Sequence, residues 1–549
     1  MLANAISAVS PKYSAYRDVR VRVSCTALVC GAATVGCSTD NFAIRPQQFN
    51  VSSNMTNAAQ TGSPRLSAGT GFTLNATAVA GYNGTPLVDN TLNGQKIVTH
   101  VNALDYTDRL VAGNSAPFPL SQANIGTGLA SNASVTYNDV GNFAILADGV
   151  VDNSWTTVDQ PNDCVAGSGS NSVTGNKVGC NIGNRTQSAS FGRFYPHHYV
   201  LYGSLVAACR TAAASGPPAV AASEFTYMGQ RELGIGVGAA AQSLGNLPLP
   251  RYTAGYATLA TTSMAGRDGS TAVELSGRLT PALPALSWDE GSAGRFYQTD
   301  GAAYGVGATT INVTGSGGIA AGDLVRFPPD PAKYALQSYA PAAGGDGGVM
   351  TLATGLQQAL PAAVRSLSFL YSFDRLASGQ DGPYDNFGVL VGVNDSDGAL
   401  ISGVNGTAVT PAASVLLGTT RLRHGRMRID SMVGSELRSF PVPVAAQYWT
   451  GTRYDTNTLD NCTALLRNNF IMEDYKNLTA AQMPLASIPL DSNLLLSGMG
   501  SLILAKPALP VTQKGSFRLR SLINWLPGDG RETIGIFKSG PVLYMREIY

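Results

Sequence analysis

The sequence predicts an all-β protein made of tandem β-sandwich domains of the immunoglobulin-like type. Only 13% of its 549 residues are charged, about half of the roughly 25% that is usual in soluble globular proteins. Its 62 Gly and 29 Pro favour short strands joined by turns over long amphipathic helices, which need charged residues and Leu on repeating faces. The length also exceeds what one hydrophobic core supports, so several domains are expected.

The strand signals begin in the first third of the chain. Residues 72–79 alternate apolar and polar side chains and are followed by the turn at residues 81–84, a pattern typical of a half-buried strand. Residues 135–147 read as strand, turn and strand, with Tyr137 two residues before Asp139 as in the tyrosine corner of immunoglobulin-like sandwiches. We therefore predict such a sandwich over residues 37–198.

In the rest of the chain, domain boundaries are predicted from changes in composition and strand pattern. We predict that residues 1–36 form an extended or partly stranded N-terminal segment and that residues 199–296 with 366–470 form a second β-sandwich region. Residues 297–365 are rich in Gly, Ala and Pro and predict a small inserted β-barrel-like module. Residues 471–549 are expected to form a C-terminal β region that ends in a hairpin, with strands at 534–537 and 542–545. The only helical candidate is residues 463–482.

The charge pattern excludes some classes of partner. There are 36 basic and 35 acidic residues, with no basic run of the kind that binds nucleic acid. No stretch of about 18 apolar residues predicts a membrane span. The first residues lack the basic and apolar regions of a signal peptide, so an extracellular protein would carry its export signal upstream of Met1.

Seven cysteines are present and no spacing matches a zinc site. Cys164 and Cys180 bracket a polar loop, and we predict a disulfide between them in preference to free thiols. Closing a loop of about 15 residues removes roughly 3 kcal/mol of unfolded-state entropy in the simple model. The odd count leaves at least one cysteine unpaired within the chain. The sequence leaves open the pairing of the other five, which are Cys25, Cys30, Cys37, Cys209 and Cys462.

No catalytic, cofactor-binding or metal-binding residue is assigned. The sequence lacks the motifs of serine hydrolases, zinc proteases, P-loop enzymes and dinucleotide-binding enzymes. His197 and His198 are adjacent in a predicted strand, where they would point to opposite faces and are poorly placed to share a metal ion, so an interdomain strand with aromatic packing is preferred. A pair of carboxylates needs no local motif, so a glycan-active enzyme stays open as an alternative.

Two further patterns have competing interpretations. Residues 394–398 place oxygen ligands at alternate positions as calcium loops do, but the rest of such a loop is missing and a solvated β-turn is preferred. Trp449, with Tyr448 and Tyr454, resembles an aromatic platform for a sugar ring. Aromatic residues in a strand more often pack in a core, and this second interpretation is preferred.

Short motifs spread along the chain resemble the C-terminal uncharacterised domain of the MshQ family, which is associated with the mannose-sensitive haemagglutinin (MSHA) type IV pilus. The motifs occur in the expected order and are CSTDNFAIRP at 37–46, GYNGTP at 81–86, FGRFYPHH at 191–198, FTYMGQ at 225–230, GSEL at 434–437, PVPVAAQYW at 441–449, NTLDNCT at 457–463, GIFK at 535–538 and YMREIY at 544–549.

The resemblance implies a non-enzymatic protein on the outside of a Gram-negative cell. Its expected role is a pilus-associated adhesin or a tip or minor structural component, without a cofactor. The expected partners are pilus proteins, other copies of the chain, or host and surface glycans, but not nucleic acid. A self-assembling filament or sheath subunit is the alternative, because an unpaired cysteine and a terminal hairpin edge favour association with another chain. A glycan-active enzyme is the second alternative.

Overall fold

The computed structural model describes residues 14–26, 31–91, 94–100, 109–113, 115–157, 162–210, 224–253, 260–283, 288–289, 292–328, 330, 332–342, 347–404, 409–410, 414–483, 494–506, 508 and 514–535. Within these residues the chain forms 41 β-strands, no α-helix, and short 3-10 helices at Ser154–Thr157 and Arg467–Asn469. The predicted all-β class is confirmed, with the strands arranged in several sheets. The helix expected at 463–482 is wrong, because residues 470–476 form a strand that pairs with another strand of the same sheet.

Sixteen strands form what we call the first unit, with one core that runs from Ala15 to Phe194. They are β1 Tyr16–Val19, β2 Arg22–Cys25, β3 Thr34–Cys37, β4 Phe42–Ile44, β5 Asn50–Ser53, β6 Leu66–Ser67, β7 Gly71–Thr77, β8 Leu87–Val88, β9 Ile97–Thr99, β10 Leu110–Val111, β11 Phe118–Pro119, β12 Leu129–Tyr137, β13 Gly141–Ile145, β14 Val150–Asp152, β15 Ile182–Gly183 and β16 Phe191–Tyr195.

Three four-stranded sheets enclose the core of the first unit, in the orders β10-β12-β7-β5, β11-β8-β14-β15 and β6-β16-β13-β9. Strand β7 buries Phe72, Leu74 and Ala76 and turns the residues between them outward, as its alternating sequence predicts. At the N-terminus β1 pairs with β4, whereas β2 and β3 pair with each other in a hairpin whose side chains are almost all exposed.

Seventeen strands form the central unit, which shares a second core. They are β17 His198–Val206, β18 Thr226–Tyr227, β19 Leu233–Gln242, β20 Ala260–Asp268, β21 Thr271–Val273, β22 Leu279–Thr280, β23 Trp288–Asp289, β24 Ser292–Thr299, β25 Thr310–Ser316, β26 Leu324–Arg326, β27 Tyr334–Pro341, β28 Gly348–Leu352, β29 Ser368–Phe373, β30 Tyr384–Asp395, β31 Leu400–Val404, β32 Val409–Thr410 and β33 Val415–Arg423. A five-stranded sheet has the order β18-β33-β30-β20-β21, and the larger sheet contains the rest.

Part of the larger sheet closes on itself as a seven-stranded antiparallel barrel. The ring runs β19-β24-β25-β28-β27-β26-β29 and returns to β19. Where β25 crosses β24, Gly315 has φ +142 and a Cβ there would lie 2.1 Å from the Phe296 carbonyl oxygen, so the close approach requires glycine. The barrel differs from the module predicted at 297–365, since it takes β19 and β29 from outside that range. Hydrogen bonding across the closed ring defines this module, which a change in composition does not reveal.

Eight strands form the C-terminal unit around a third core. They are β34 Gly425–Ile429, β35 Val433–Gly434, β36 Phe440–Trp449, β37 Tyr454–Thr456, β38 Phe470–Lys476, β39 Met499–Leu504, β40 Gly515–Ser521 and β41 Asp529–Ile534. One sheet contains β34, β36, β37 and β39, and the other has the order β35-β41-β40-β38. This unit begins before the boundary predicted at residue 471, because strands from 425 onward pair with strands beyond it. From residue 536 onward, the predicted terminal hairpin lies outside the described residues.

Candidate functional site: two unit junctions and a disulfide-bounded cleft

The turn at residues 394–398 lies between the first and central units. Asp397, only 7% exposed, accepts hydrogen bonds from both terminal nitrogens of Arg193 and from Arg65 Nη1 at 2.9 Å. Both arginines belong to the first unit. The prediction that this turn is solvated is therefore wrong. Two guanidinium groups from distant parts of the sequence compensate the burial of its carboxylate.

Asp395, two residues earlier, connects the same turn to Tyr199 of the central unit. Its carboxylate accepts hydrogen bonds from the Tyr199 hydroxyl at 2.5 Å and from the backbone N–H of Asp397 at 2.7 Å. Burial raises the pKa of Asp395. Burial alone would also raise the pKa of Asp397, but Arg193 and Arg65 outweigh it and hold that pKa below its usual value. The two neighbouring carboxyls thus differ in their environment, and the one facing the arginines is ionised.

A second set of contacts joins the same two units. Asp139, fully buried in the first unit, forms an ion pair with Arg251 of the central unit. The backbone N–H of Leu244 donates to the Ala68 carbonyl at 2.9 Å. We call all of these contacts the first junction; they include charges, backbone hydrogen bonds and apolar packing.

His197 and His198 lie at the start of the central unit, and their rings contact each other. Their Nδ1 atoms are 3.1 Å apart, so the expectation that the side chains diverge is wrong. His197 lies in a bend before β17, where the alternation of a strand does not apply. Burial lowers the pKa of both histidines. Across the described part of the chain, no group of three or more His, Cys, Asp or Glu is arranged to hold a metal ion.

A disulfide between Cys209 and Cys462 connects the central and C-terminal units across 253 residues. Beside it, the Tyr227 hydroxyl donates to Asp460 Oδ2 at 2.9 Å and accepts from Asn457 Nδ2 at 2.8 Å. Asp460 is fully buried and also accepts the backbone N–H groups of residues 462 and 463. We call this set of contacts the second junction.

The second junction includes a buried Asp–His pair. Asp381 accepts from Arg278 at 2.7 Å and lies 3.3 Å from His424 Nδ1. Burial would raise the pKa of Asp381, but His424 and Arg278 outweigh it and lower that pKa. In a catalytic triad the far ring nitrogen faces a nucleophile, whereas His424 Nε2 faces a guanidinium nitrogen of Arg375 at 3.4 Å. Arg375 in turn donates to the backbone carbonyls of Gly425 and Trp525 in the C-terminal unit, which gives the network a structural role.

The aromatic residues near Trp449 are packed against cations. Arg423 lies over the Tyr448 ring at 4.0 Å and Arg426 over the Tyr454 ring at 4.0 Å. Trp449 contacts Tyr454 edge to face, with ring centroids 5.4 Å apart. Because guanidinium groups cover a face of each tyrosine ring, these residues do not form the open platform that a sugar would need.

The predicted Cys164–Cys180 disulfide is present and closes a folded loop. At the tip of the loop, Gly175 and Asn176 both have positive φ, +58 and +61, and Thr174 and Lys177 exchange two backbone hydrogen bonds. This is the geometry of a type I′ turn, for which glycine and asparagine are the favoured residues. Cys25 is disulfide-bonded as well, and Cys37 is free and exposed.

A cleft of about 380 Å³ separates this loop from β4. Arg45, just after β4, holds the two sides together by donating to Asn171 Oδ1 at 2.9 Å, while Asn171 Nδ2 donates to the Gln47 carbonyl at 3.1 Å. Trp155 is buried at the cleft between the Tyr82 ring and the Arg17 guanidinium. We call this space the disulfide cleft; its lining is Asp40, Asn41, Phe42, Ala43, Arg45, Trp155, Asp163, Cys164, Gly175, Asn176, Lys177, Val178, Gly179 and Cys180.

The residues of the two junctions are not predicted from the sequence, although a signal is present in it. Arg193 lies in the motif at 191–198, Tyr227 in that at 225–230, and Asp460 with Cys462 in that at 457–463. Three of the nine motifs that carry the family resemblance therefore lie where units meet.

Comparisons with known proteins give two family matches. Residues 173–321 match the third domain of DUF6701 and residues 423–548 match its fourth domain, so that the two matches together span about half of the chain. The second match begins within two residues of β34, where the C-terminal unit starts. No curated protein matches the chain.

Among solved structures, the chain is similar to tandem immunoglobulin domains. The titin I-band fragment I67–I69 shows 8% identity and a TM-score of 0.23, covering 90% of this chain and 99% of that one. The I9–I11 tandem from titin shows 5% and 0.18, covering 85% and 93%. The N-terminal eight immunoglobulin domains of Down Syndrome Cell Adhesion Molecule isoform 1.30.30 show 9% and 0.13, covering 92% and 51%. Among the described residues, no helix has the length and apolar character that crossing a bilayer requires.

Proposed function

Since the chain carries the third and fourth domains of DUF6701, we propose that it is a non-enzymatic extracellular surface protein that acts as an adhesin or as a tip or minor component of a type IV, MSHA-like pilus. The observation that carries this proposal is the construction of the two junctions. The first joins its two units through the buried Arg193–Asp397 ion pair, and the second joins its units through hydrogen bonds from Arg375 and Tyr227 and through a covalent bond between Cys209 and Cys462. Such junctions suit a protein that transmits force along its length.

The disulfides support an extracellular location. Structural disulfides form and persist in oxidising compartments and are rare in the cytosol. Cys164–Cys180, Cys209–Cys462 and the bond at Cys25 involve five of the six cysteines among the described positions. The resemblance of the junction motifs to the MshQ family adds the association with a pilus.

The mechanism requires that the units stay together under tension. An exposed ion pair is weakened by water and salt and contributes little, whereas Arg193 and Asp397 are each 4% exposed, and the attraction between buried charges is screened much less. At the second junction, the Cys209–Cys462 disulfide is a second covalent link between the central and C-terminal units, beside the backbone that runs from β33 to β34.

The proposal is tested in the bacterium that encodes the protein. The expected results are labelling of the protein on intact cells by a membrane-impermeant biotin reagent, its presence in pili sheared from the surface, and reduced attachment in a deletion strain that the intact gene restores. A protein confined to the cytosolic fraction, or a deletion that leaves both pili and attachment unchanged, would overturn the proposal.

The N-terminal hairpin supports self-assembly into a filament or sheath as a second candidate. Within the described residues β2 and β3 pair only with each other, and Val21, Val23 and Val35 on this hairpin are 48%, 52% and 54% exposed. An unpaired strand edge with apolar side chains favours pairing with another chain. Electron microscopy at rising protein concentration tests this candidate, and particles that stay monomeric at every concentration would exclude it.

A further inference from the structure

We propose that the disulfide cleft of the first unit binds a saccharide ring that is neutral overall. This inference names the ligand class for the surface function proposed above and rests on it only for the source of the ligand, a surface glycan. The cleft volume of about 380 Å³ falls within the roughly 300–1,000 Å³ of small-molecule sites. The space is therefore suited to a single ring with its substituents.

The side chains of the cleft provide the two kinds of contact that a sugar makes. A sugar ring has one apolar face of C–H groups, and hydroxyls around its edge. Phe42 lines the cleft and is 43% exposed, so its ring offers an apolar surface to such a face. The side chains of Asn41 and Asn176 make no hydrogen bond to other described residues, and each amide provides a donor and an acceptor for hydroxyl groups.

The charges of the cleft favour a neutral ligand. Asp40 and Asp163 are balanced by Arg45 and Lys177 on the same lining. An anion would lie close to two carboxylates, and a cation close to two basic groups. A wholly apolar ligand would remove water from these polar groups without replacing its hydrogen bonds, at a cost for each group. A polyhydroxylated neutral ligand avoids all three penalties.

The cleft is rigid before any ligand arrives, which reduces the entropy lost on binding. The Cys164–Cys180 disulfide closes the loop, and the hydrogen bonds of Asn171 with Arg45 and Gln47 fix it against the segment that follows β4. At the tip, the positive φ of Asn176 is held by the two backbone hydrogen bonds of its turn. The amide of Asn176 is therefore presented on a fixed backbone.

The test uses the purified full chain and a panel of methyl glycosides of neutral hexoses, a 6-deoxyhexose, a pentose and N-acetylhexosamines. Saturation-transfer difference NMR at about 5 mM glycoside detects sites of millimolar affinity. We expect signal from at least one glycoside, and a loss of affinity of about fivefold in Asn176→Gly, which removes one neutral hydrogen-bonding group. Phe42→Ala is expected to weaken binding by a similar or larger factor.

The matched control is Asn246→Gly in the central unit. Asn246 is also exposed in a turn and has φ +62, close to the +61 of Asn176. Because glycine adopts positive φ readily, both variants should fold, and circular dichroism with thermal unfolding checks this directly. Affinity that is unchanged in Asn246→Gly and reduced in Asn176→Gly supports the inference. No signal from any glycoside, or equal binding by Asn176→Gly and Phe42→Ala and the parent, would overturn it.

The same variants separate this inference from the proposed surface function. If Asn176→Gly restores attachment to the deletion strain as fully as the intact gene does, the surface function stands and the cleft has no part in it. If the protein is cytosolic but binds a glycoside through Asn176, the surface function falls and the cleft site remains.

Discussion

Arg193 and Asp397 are separated by 204 residues in the sequence and form a bidentate ion pair, in which each side chain is only 4% exposed. Arg193 lies in β16 of the first unit, and Asp397 lies in the turn after β30 of the central unit. A buried pair of this kind loses much of its Coulomb energy to desolvation, so its main effect is to fix how the two units meet. Arg65 adds a second cation on the exposed side.

Replacing Asp397 with Asn is expected to destabilise the first junction strongly. The variant keeps the size of the side chain but leaves the buried Arg193 without a counter-charge, and breaking a buried pair from one side costs about 3–5 kcal/mol. Urea unfolding measures the loss. The matched control is Asp455→Asn, which removes the partner of Arg453 in a pair whose side chains are 42% and 77% exposed and should cost far less. Equal losses in the two variants would contradict a special role for the buried pair.

Removing the Cys209–Cys462 disulfide by Cys209→Ser with Cys462→Ser is expected to lower the free energy of unfolding by roughly 2–5 kcal/mol. Because this bond joins two units, the variant should also unfold in two separated transitions, with the C-terminal unit melting apart from the central unit. Differential scanning calorimetry under non-reducing conditions shows both effects.

The control for that variant is Cys164→Ser with Cys180→Ser. The second pair closes a loop within the first unit, so its removal should destabilise that unit and leave the coupling between the central and C-terminal units intact. A single transition in the Cys209/Cys462 variant, like that of the parent, would show that the noncovalent contacts of Tyr227 and Asp460 suffice to couple the units.

Local patterns in the sequence predicted local features of the fold well. The alternation at 72–79 became β7, and the polar loop between Cys164 and Cys180 is closed by the expected disulfide. Taken alone, residues 394–398 predict a solvated turn. The two residues that bury this turn, Arg193 and Arg65, lie far away in the sequence, so the local pattern does not reveal the burial. The Cys209–Cys462 pairing was undetermined for the same reason, since the sequence alone does not give disulfide connectivity. The disulfide cleft depends on three segments that only the fold brings together.

His198 makes the protein less stable in acid. Burial lowers its pKa, whereas in the unfolded chain a histidine titrates near 6.5. Below that pH the unfolded state binds more protons than the native state, so this group makes the protein less stable as the pH falls from 7.5 to 5. His198→Gln removes the titrating group, and the variant should lose less stability over this interval than the parent does. Urea unfolding at the two pH values measures the difference, and parallel losses would contradict the prediction.

Glu532 should give the opposite pH dependence. It is fully buried in β41, and burial raises its pKa to about 7 even though the Met432 backbone N–H donates to its Oε2 at 3.0 Å and favours the ionised form. An unfolded glutamate titrates near 4.3, so between these values the native state binds more protons than the unfolded state. The stabilisation is fully present below the unfolded pKa and is lost as the pH rises through about 7.

Glu532→Gln is therefore expected to match the parent in stability near pH 4.5 and to exceed it at pH 8 by on the order of 1–3 kcal/mol, because the variant keeps the acceptor for the Met432 N–H and has no charge to bury. The comparison is Glu473→Gln, since Glu473 lies on the exposed face of β38, where hydrogen bonds from Arg520 lower its pKa. That variant has no buried charge to relieve and should gain nothing at pH 8. Urea unfolding across the pH range tests both, and a stability difference for Glu532→Gln that does not vary with pH would mean that this carboxyl does not titrate in the native protein between the two values.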